Sequence, residues 1–230
     1  LSERLKEIFT AYNYYNLDFS ASWFDKALAT YIQPHRFFHT LEHLCSICSQ
    51  IIKEFPDGGE LSAKLLLTAL FHDLIWYPQG NDSEDMSVAA FEFIVDNYFL
   101  PIPETVQEEI KQAIMSTKDQ SNCSELCSRF HEYDCQVILS GSAVELLAYE
   151  FQIFREYQYL NLAEYRKGRS DFFQRFAKKF PQCRENMDFL IEYLEKRRPR
   201  IGIYAGTFNP FHIGHLSILE KAELMFDKII

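Results

Sequence analysis

Leu61-Ser62-Ala63-Lys64-Leu65-Leu66-Leu67-Thr68-Ala69-Leu70-Phe71-His72-Asp73-Leu74-Ile75 decides how this chain is read. Its apolar residues recur at helical spacing and almost all the way round, the pattern of a helix enclosed in a core. An imidazole and a carboxylate adjoin at its end, and burying such an ionisable pair is costly unless something compensates. A bound divalent cation would compensate. Adjacent residues of a helix point about 100° apart, so His72 and Asp73 converge on one ion only near a distorted turn or with favourable rotamers.

Helical spacing extends on both sides of this stretch to about residue 195, without strand-like alternation, internal repeats or low-complexity segments. Upstream, Leu5, Ile8, Phe9 and Tyr12 begin one amphipathic stripe, and Trp23, Phe24, Ala27, Leu28 and Tyr31 make another that Pro34 breaks. A helix over Leu41 to Phe55 closes at Pro56-Asp57-Gly58-Gly59, and the helix over Leu61 to Ile75 closes at Tyr77-Pro78-Gln79-Gly80-Asn81. Downstream, the spacing predicts helices over Glu84 to Tyr98, Glu104 to Thr117, Ser124 to His131, Ser142 to Tyr159, and Ser170 to Arg197, the last bent or broken near Pro181. The expected fold class is therefore all-α over residues 1–195.

A chain of 230 residues with 47% hydrophobic and 16% aromatic residues can bury a sizeable core and is not a disordered sequence. Lys and Arg total 23 against 33 Asp and Glu, a formal charge of −10, which argues against a nucleic acid polymer as partner. A phosphorylated substrate would need local help from a metal or a few placed arginines. The longest apolar run, Leu65 to Phe71, is far short of the roughly 20 residues of a membrane helix, and the N-terminus shows no basic-then-apolar leader. A soluble, cytoplasmic protein with no membrane partner is expected. Six cysteines include the close pairs Cys45-x-x-Cys48 and Cys123-x-x-x-Cys127. No second pair stands at zinc-ribbon or finger spacing, so reduced, mostly buried thiols are expected.

Character changes at Glu195-Lys196-Arg197-Arg198-Pro199-Arg200, a short, basic, Pro-marked run that reads as a linker over residues 196–200. Ile201-Gly202-Ile203-Tyr204 follows with a buried-strand pattern, then a Gly-containing turn, a helix from about Gly214 to Phe226, and Asp227-Lys228-Ile229-Ile230, which can start a second strand. This is a β-α-β opening over residues 201–230.

In the helical part, His35, His39 and His43 are spaced four apart. If their helix begins before His39, then His39 and His43 share one face a turn apart, which suits shared metal work or a ligand with its hydrogen-bonding neighbour. Asp134 precedes an apolar stretch and by itself reads as an N-cap. Taken together, His39, His72, Asp73 and Asp134 offer two imidazoles and two carboxylates, a mixed set suited to Mn, Fe, Ni, Co or Zn more than to calcium. Such a set leaves room for water and a phosphate oxygen, the requirement for metal-assisted hydrolysis.

The pattern H…HD…D resembles the HD superfamily of metal-dependent phosphohydrolases, and a bacterial branch of it more closely. His35-Arg36-Phe37-Phe38-His39-Thr40-Leu41-Glu42-His43-Leu44 resembles its R-x-Y-H-x-L-x-H block, Phe71-His72-Asp73-Leu74-Ile75-Trp76-Tyr77-Pro78 its F-H-D-x-x-Y-x-P block, and Asp82-Ser83-Glu84-Asp85-Met86-Ser87 its D-N-E-x-x-S segment. Ile114-Met115-Ser116-Thr117-Lys118, Asp134 with Leu139-Ser140-Gly141, Phe154-Arg155-Glu156-Tyr157 and Gly168-Arg169 resemble later blocks, so the similarity spans residues 1–195. The resemblance implies an HD-type helical bundle with His39, His72, Asp73 and Asp134 as ligands of a divalent ion (Mn, Ni, Co, Fe, Mg or Zn). Asp73, Glu84 and Lys118 would be catalytic, Glu84 as an acid–base or water-orienting carboxylate, although a first-turn helix acid has that place by dipole alone. Arg36, His43, Lys118, Arg155 and Arg169 would meet a small phosphorylated substrate, with surface ion pairing the ordinary alternative for the basic ones. Gln120 stands where the branch tends to carry histidine, and an amide is neither acid nor base.

Gly206-Thr207-Phe208-Asn209-Pro210-Phe211-His212-Ile213-Gly214-His215, directly after the predicted strand, resembles the G-T-F-D-P-x-H-x-G-H opening of the nucleotidyltransferase superfamily of pantetheine-phosphate, nicotinate-nucleotide and glycerol-phosphate adenylyl- or cytidylyltransferases. Gly206 allows a tight turn, Gly214 lets the backbone approach a triphosphate at a helix N-terminus, and His212 and His215 can donate to phosphates. With Thr207 and Phe208 they form the expected, incomplete nucleotide site; Asn209 departs from the commoner Asp. Such an α/β Rossmann-like domain needs about 150 residues, so the expectation is a piece of a longer bifunctional protein whose residues 201–230 pack on the helical domain or on a partner copy. The expected activity is a metal-dependent phosphohydrolase acting on a phosphomonoester or nucleotide, with homodimerisation among the expectations. The rival is a non-catalytic nucleotide-binding HD-like module serving the transferase.

Overall fold

The expected helix at Leu61–Ile75 becomes α4 (Glu60–Phe71), in which Ala63 and every residue from Leu65 to Phe71 are buried. The computed structural model describes residues 1–119 and 124–230. Gly58 (φ 73°) and Gly59 (φ 124°) start α4 from backbone conformations that a side chain disfavours, which explains why glycines end the preceding loop. A helix without a polar face must be covered on all sides. Contacts from α2 (Ser22–Thr30), α3 (Leu41–Glu54), α5 (Ser83–Asn97), α6 (Glu104–Ser116) and α7 (Glu125–Asp134) cover it. The N-terminal helix α1 (Ser2–Ala11) packs on α3, and the short α8 (Gln136–Ser140) follows α7. Phe9, Phe19, Trp23 and Phe24 form an aromatic knot with ring centroids 5.1–5.6 Å apart, and Trp23 stacks over Phe71 at 6.5 Å, tying α1 and α2 to α4.

These helices make up one compact unit, Leu1–Ser142; Ala143–Ile230 is a second. The second holds α9 (Ala143–Glu156), α10 (Leu162–Lys179), a 3₁₀ turn at Pro181–Cys183, α11 (Arg184–Lys196), β1 (Ile201–Gly202), α12 (Ile213–Glu223) and β2 (Lys228–Ile229). Pro181 opens the break expected in the long C-terminal helix. Asn161 and Glu164 form a reciprocal capping box, so α10 begins eight residues before the expected Ser170. In its core, Glu150 on α9 is wholly buried and accepts from Arg169 of α10 at 2.8 and 3.1 Å, with the Tyr165 hydroxyl on its other oxygen. β1 and β2 pair in parallel, Ile201 opposite Lys228 and Gly202 opposite Ile229, around α12. The described residues are thus mostly helical with one short β-α-β piece.

The expected linker at 196–200 lies inside the second of these units. Arg197 lies 4.2 Å from the Phe154 ring centroid and 3.7 Å from Asp227, whose carboxylate also accepts from the Arg200 backbone N–H at 2.8 Å. Gln158 donates to the Asp227 carbonyl and Lys228 to the Leu160 carbonyl. The basic run is therefore fixed against α9 and its following loop, and residues 201–230 pack on those helices.

Cys45, Cys48, Cys135 and Cys183 are buried free thiols, and burial pushes Cys48 up out of the reactive range. These four fit the expectation of reduced, mostly buried thiols, and Cys127, which is disulfide-bonded, departs from it; Cys123 lies outside the described residues. Among the described residues no helix is long and apolar enough to cross a membrane.

Two glycines make opposite predictions. A Cβ on Gly141 would come 2.3 Å from the Val137 carbonyl oxygen that its own N–H caps, whereas one on Gly168, inside α10, would meet nothing within 4 Å. Urea denaturation should show Gly141→Ala destabilised by about 1–3 kcal/mol and Gly168→Ala stabilised by about 0.5–1 kcal/mol.

Candidate metal centre

The ends of three mutually packed helices bring the ionisable residues together: the last turn of α4, the first turn of α3 and the last residue of α7. His72 is the C-cap of α4, still helical at φ −60° and ψ −40°, and its N–H bonds to the Thr68 carbonyl at 2.8 Å. The helix stops at Phe71, four residues earlier than expected, so Asp73 lies in the turn that an adjacent pair needs in order to converge. His43 belongs to the first turn of α3, while His39 precedes the helix, which begins only at Leu41. The two histidines therefore do not share a helical face. Asp134 ends α7 instead of capping the next helix. A carboxylate is disfavoured at a helix C-terminus, and here it is held by imidazoles.

His43 Nε2 donates to Asp134 Oδ1 at 3.0 Å. His72 Nε2 lies 2.9 Å from Asp73 Oδ2 and 3.5 Å from Asp134 Oδ1. One ligand atom each from His43, His72 and Asp134 can be chosen within 4.8 Å of one another. On the far side of its ring, His72 Nδ1 donates to the Ala69 carbonyl at 2.9 Å, so in the neutral ring the Nε2 lone pair faces the carboxylates. That is the tautomer a metal-ligating histidine requires. Although close to both carboxylates, the buried Nε2 makes no directed hydrogen bond, so its contacts are electrostatic. Burial alone would drive the His72 proton off, but Asp73 and Asp134 outweigh it and hold the pKa up to about 10. Burial likewise works against both carboxylates, yet His72 with His39 holds Asp73 well below the usual range, and His43 with His72 does the same for Asp134. Two buried anions thus demand a cation, which is either a proton on His72 or a metal.

The other expected residues are placed as follows. His39 stacks on Trp76 with centroids 3.7 Å apart and stands 6.0 Å from the His43 ring, beside the tight group rather than inside it. Trp76 Nε1 is buried with no hydrogen-bond partner among the described residues. Glu84 is in the first turn of α5, between two serines that brace the loop after the dyad: Ser83 accepts from the Tyr77 N–H at 3.1 Å and Ser87 from the Ile75 N–H at 3.0 Å. Lys118 pairs with Asp85 at 3.1 Å. Arg36, expected to meet substrate, is only 5% exposed and spends its guanidinium on backbone carbonyls. In the second unit, Arg155 faces Glu223 at 3.7 Å and Arg169 is committed to Glu150. Gln120 lies outside the described residues. Sequence spacing offered His43 for shared metal work through a helical face common with His39, whereas here it joins His72 and Asp134; the Trp76 stack and the serine braces were not anticipated, although the i, i+4 pair Ser83 and Ser87 signals the latter.

The second motif is also ordered by local contacts. His212 caps α12, its Nδ1 accepting from the Gly214 N–H at 3.1 Å, and His215 Nδ1 accepts from the His212 N–H at 3.3 Å. The rings stack 3.7 Å apart, and acceptance through Nδ1 leaves both neutral rings with the proton on Nε2, free to donate. A Cβ on Gly214 would come 3.0 Å from the His212 ring, and one on Gly206 3.1 Å from the Phe208 ring, so at both positions a side chain would be in tight contact with its neighbour. Thr207 sits with them in the exposed turn before α12.

Residues 203–230 match the cytidylyltransferase-like family model. The chain is 67% identical over 30 residues to the phosphopantetheine adenylyltransferase of Mycoplasma capricolum, which covers 13% of this chain and 21% of that protein. It is 45% identical over 38 residues to that of Desulfotalea psychrophila (16% and 22%) and 49% identical over 37 residues to a probable nicotinate-nucleotide adenylyltransferase of Leifsonia xyli (16% and 18%). No solved structure gives a significant match. The chain spans about a fifth of the length of these curated relatives, and its β1-α12-β2 piece is similar to a nucleotidyltransferase part.

Proposed function

We propose that the helical unit is an HD-type, metal-dependent phosphohydrolase acting on a phosphomonoester or nucleotide. The single observation that supports this most is the buried His72 Nε2, its lone pair turned by Ala69 toward two carboxylates with which it makes no directed bond. His43, His72 and Asp134, with Asp73 adjoining, would hold a divalent cation, and His39 stands next in line. Two imidazoles and two carboxylates suit Mn, Fe, Ni, Co or Zn, with Mg to be tested alongside. A bound cation of this kind supplies Lewis-acid polarisation of a phosphoryl oxygen and a more acidic water. The chain's own contribution is to fix the His72 tautomer and to offer Glu84 as the candidate proton acceptor.

A second reading is a regulatory module without turnover, in keeping with Lys118 already pairing with Asp85 and Arg36 with carbonyls, so that neither is poised for a phosphate. For residues 201–230 we propose the opening of an adenylyl- or cytidylyltransferase domain, with Gly206, Thr207, Phe208, His212, Gly214 and His215 contributing to its nucleotide site. The rest of that site would come from sequence beyond the fifth of the relatives' length matched here.

Metal analysis of chain purified without chelator should find bound divalent metal, and phosphate release from a panel of nucleotides and phosphomonoesters should appear with Mn, Ni, Co or Mg. His72→Ala and Asp73→Ala should each abolish metal and activity, and His43→Ala should weaken metal binding tenfold or more, roughly the cost of losing a ligand or its orienting partner. Activity retained in the His72 or Asp73 variant sinks the site; absence of both metal and turnover in the parent chain favours the module.

The metal-free protein carries a pH signature. With a folded pKa of about 10 against 6.5 for an ordinary imidazole, protonated His72 stabilises the chelated protein fully below about pH 6.5, and that contribution is lost as pH rises through about 10. Thermal melts in chelator should show this decline, and His72→Gln should flatten it.

A further inference from the structure

We infer that Arg36 is a positioning residue that sets the geometry of the metal-bearing loops through their backbone, and that it makes no contact with substrate. Its relevance to catalysis rests on the metal reading above, but its structural action does not. The guanidinium is buried, with Nη1 donating to the carbonyls of Asp73 at 2.8 Å and His39 at 3.1 Å, and Nη2 donating to that of Leu74 at 3.0 Å. One rigid fork therefore spans the two segments that deliver His39 and Asp73, which are far apart in sequence.

The location has a physical reason. A helix end leaves carbonyls without intrahelical partners, and α4 ends inside the protein, where water cannot serve them. Side chains do so instead: His72 Nδ1 takes the Ala69 carbonyl, the Tyr31 hydroxyl takes that of Leu70 at 2.9 Å, and Arg36 takes those of the turn beyond. A cation at a helix C-terminus is also favoured by the dipole, and the guanidinium lies 5.1 Å from the Tyr31 ring centroid, on the aromatic ring that shares the task. Lysine cannot replace it, because a single ammonium lacks the planar fork that bridges several carbonyls at fixed spacing. Both loops are further pinned by the stack of His39 on Trp76, so a change in their separation shows at that indole.

The test uses the full chain in a Trp23→Phe background, which leaves Trp76 as the reporter of the two tryptophans. Stacked imidazole quenches indole emission, so in chelator Arg36→Lys and Arg36→Met should both raise Trp76 fluorescence with helical circular dichroism retained. Emission unchanged from the Arg36 parent in either folded variant overturns the inference; if Arg36→Met does not fold, Arg36→Lys decides. With Mn or Co added, Arg36→Lys should lose about 10- to 100-fold in metal affinity, the usual effect of removing a partner that orients ligands. Leu66→Ala, a truncation in the α4 core, should lose stability while keeping its affinity; an equal loss of affinity there would reduce Arg36 to ordinary structural support and defeat the proposal. If the Arg36 parent binds no metal, the phosphohydrolase proposal fails by itself and Trp76 emission still decides the role of Arg36.

Discussion

A helix whose last seven residues are buried on every side dictates the organisation of the first unit. Because α4 is buried on every side from Leu65 to Phe71, five other helices must cover it, and whatever residues end it are carried into the interior with it. Those residues are His72 and Asp73. An ionisable pair at that depth needs partners, and α3 and α7 bring His43 and Asp134 to the same point because they are among the helices that cover α4. The acidic end of α7 is a local rule broken, a carboxylate at the negative pole of a helix, and departures of this sort concentrate where a protein binds or reacts something.

Much of this was legible beforehand for a simple reason: long, strongly periodic stretches leave little choice of element type. The helix after Pro56-Asp57-Gly58-Gly59, the all-helical character to about residue 195, the break at Pro181 and the β-α-β opening all follow from periodicity and from Gly and Pro placement. Ends were harder to read. Four residues of expected helix after Phe71 are instead turn, because side chains from elsewhere in the sequence serve the carbonyls there, and nothing local announces Arg36 or Tyr31 as their partners. The early start of α10 was written in the chain as Asn161-x-x-Glu164, a capping signature that aromatic periodicity alone passes over.

The candidate site could be named from the sequence residue by residue, but its grouping could not. His72, Asp73 and Asp134 come from the pattern itself, whereas the closeness of His43 to Asp134 depends on how α3 and α7 cross, which no spacing within either helix encodes. Formal charge is equally silent about grouping. Arginine and lysine side chains look like phosphate contacts on paper, yet Arg36, Arg169 and Lys118 each have an internal partner, and in the first two cases burial makes that partner obligatory. The basic run at 196–200 shows the same effect, since Arg197 anchors on Phe154 and Asp227.

The two thiols on α3 give this architecture a practical dimension. Cys45 and Cys48 lie on the buried side of the helix that also carries His43, and a thiol shut away from solvent neither alkylates nor oxidises until the helix lifts. Their labelling by a thiol reagent therefore runs as a clock for the opening of α3, counting the local unfolding events that would expose the ionisable cluster. The core thus contains, without any engineered residue, a chemical record of how often its own centre comes apart.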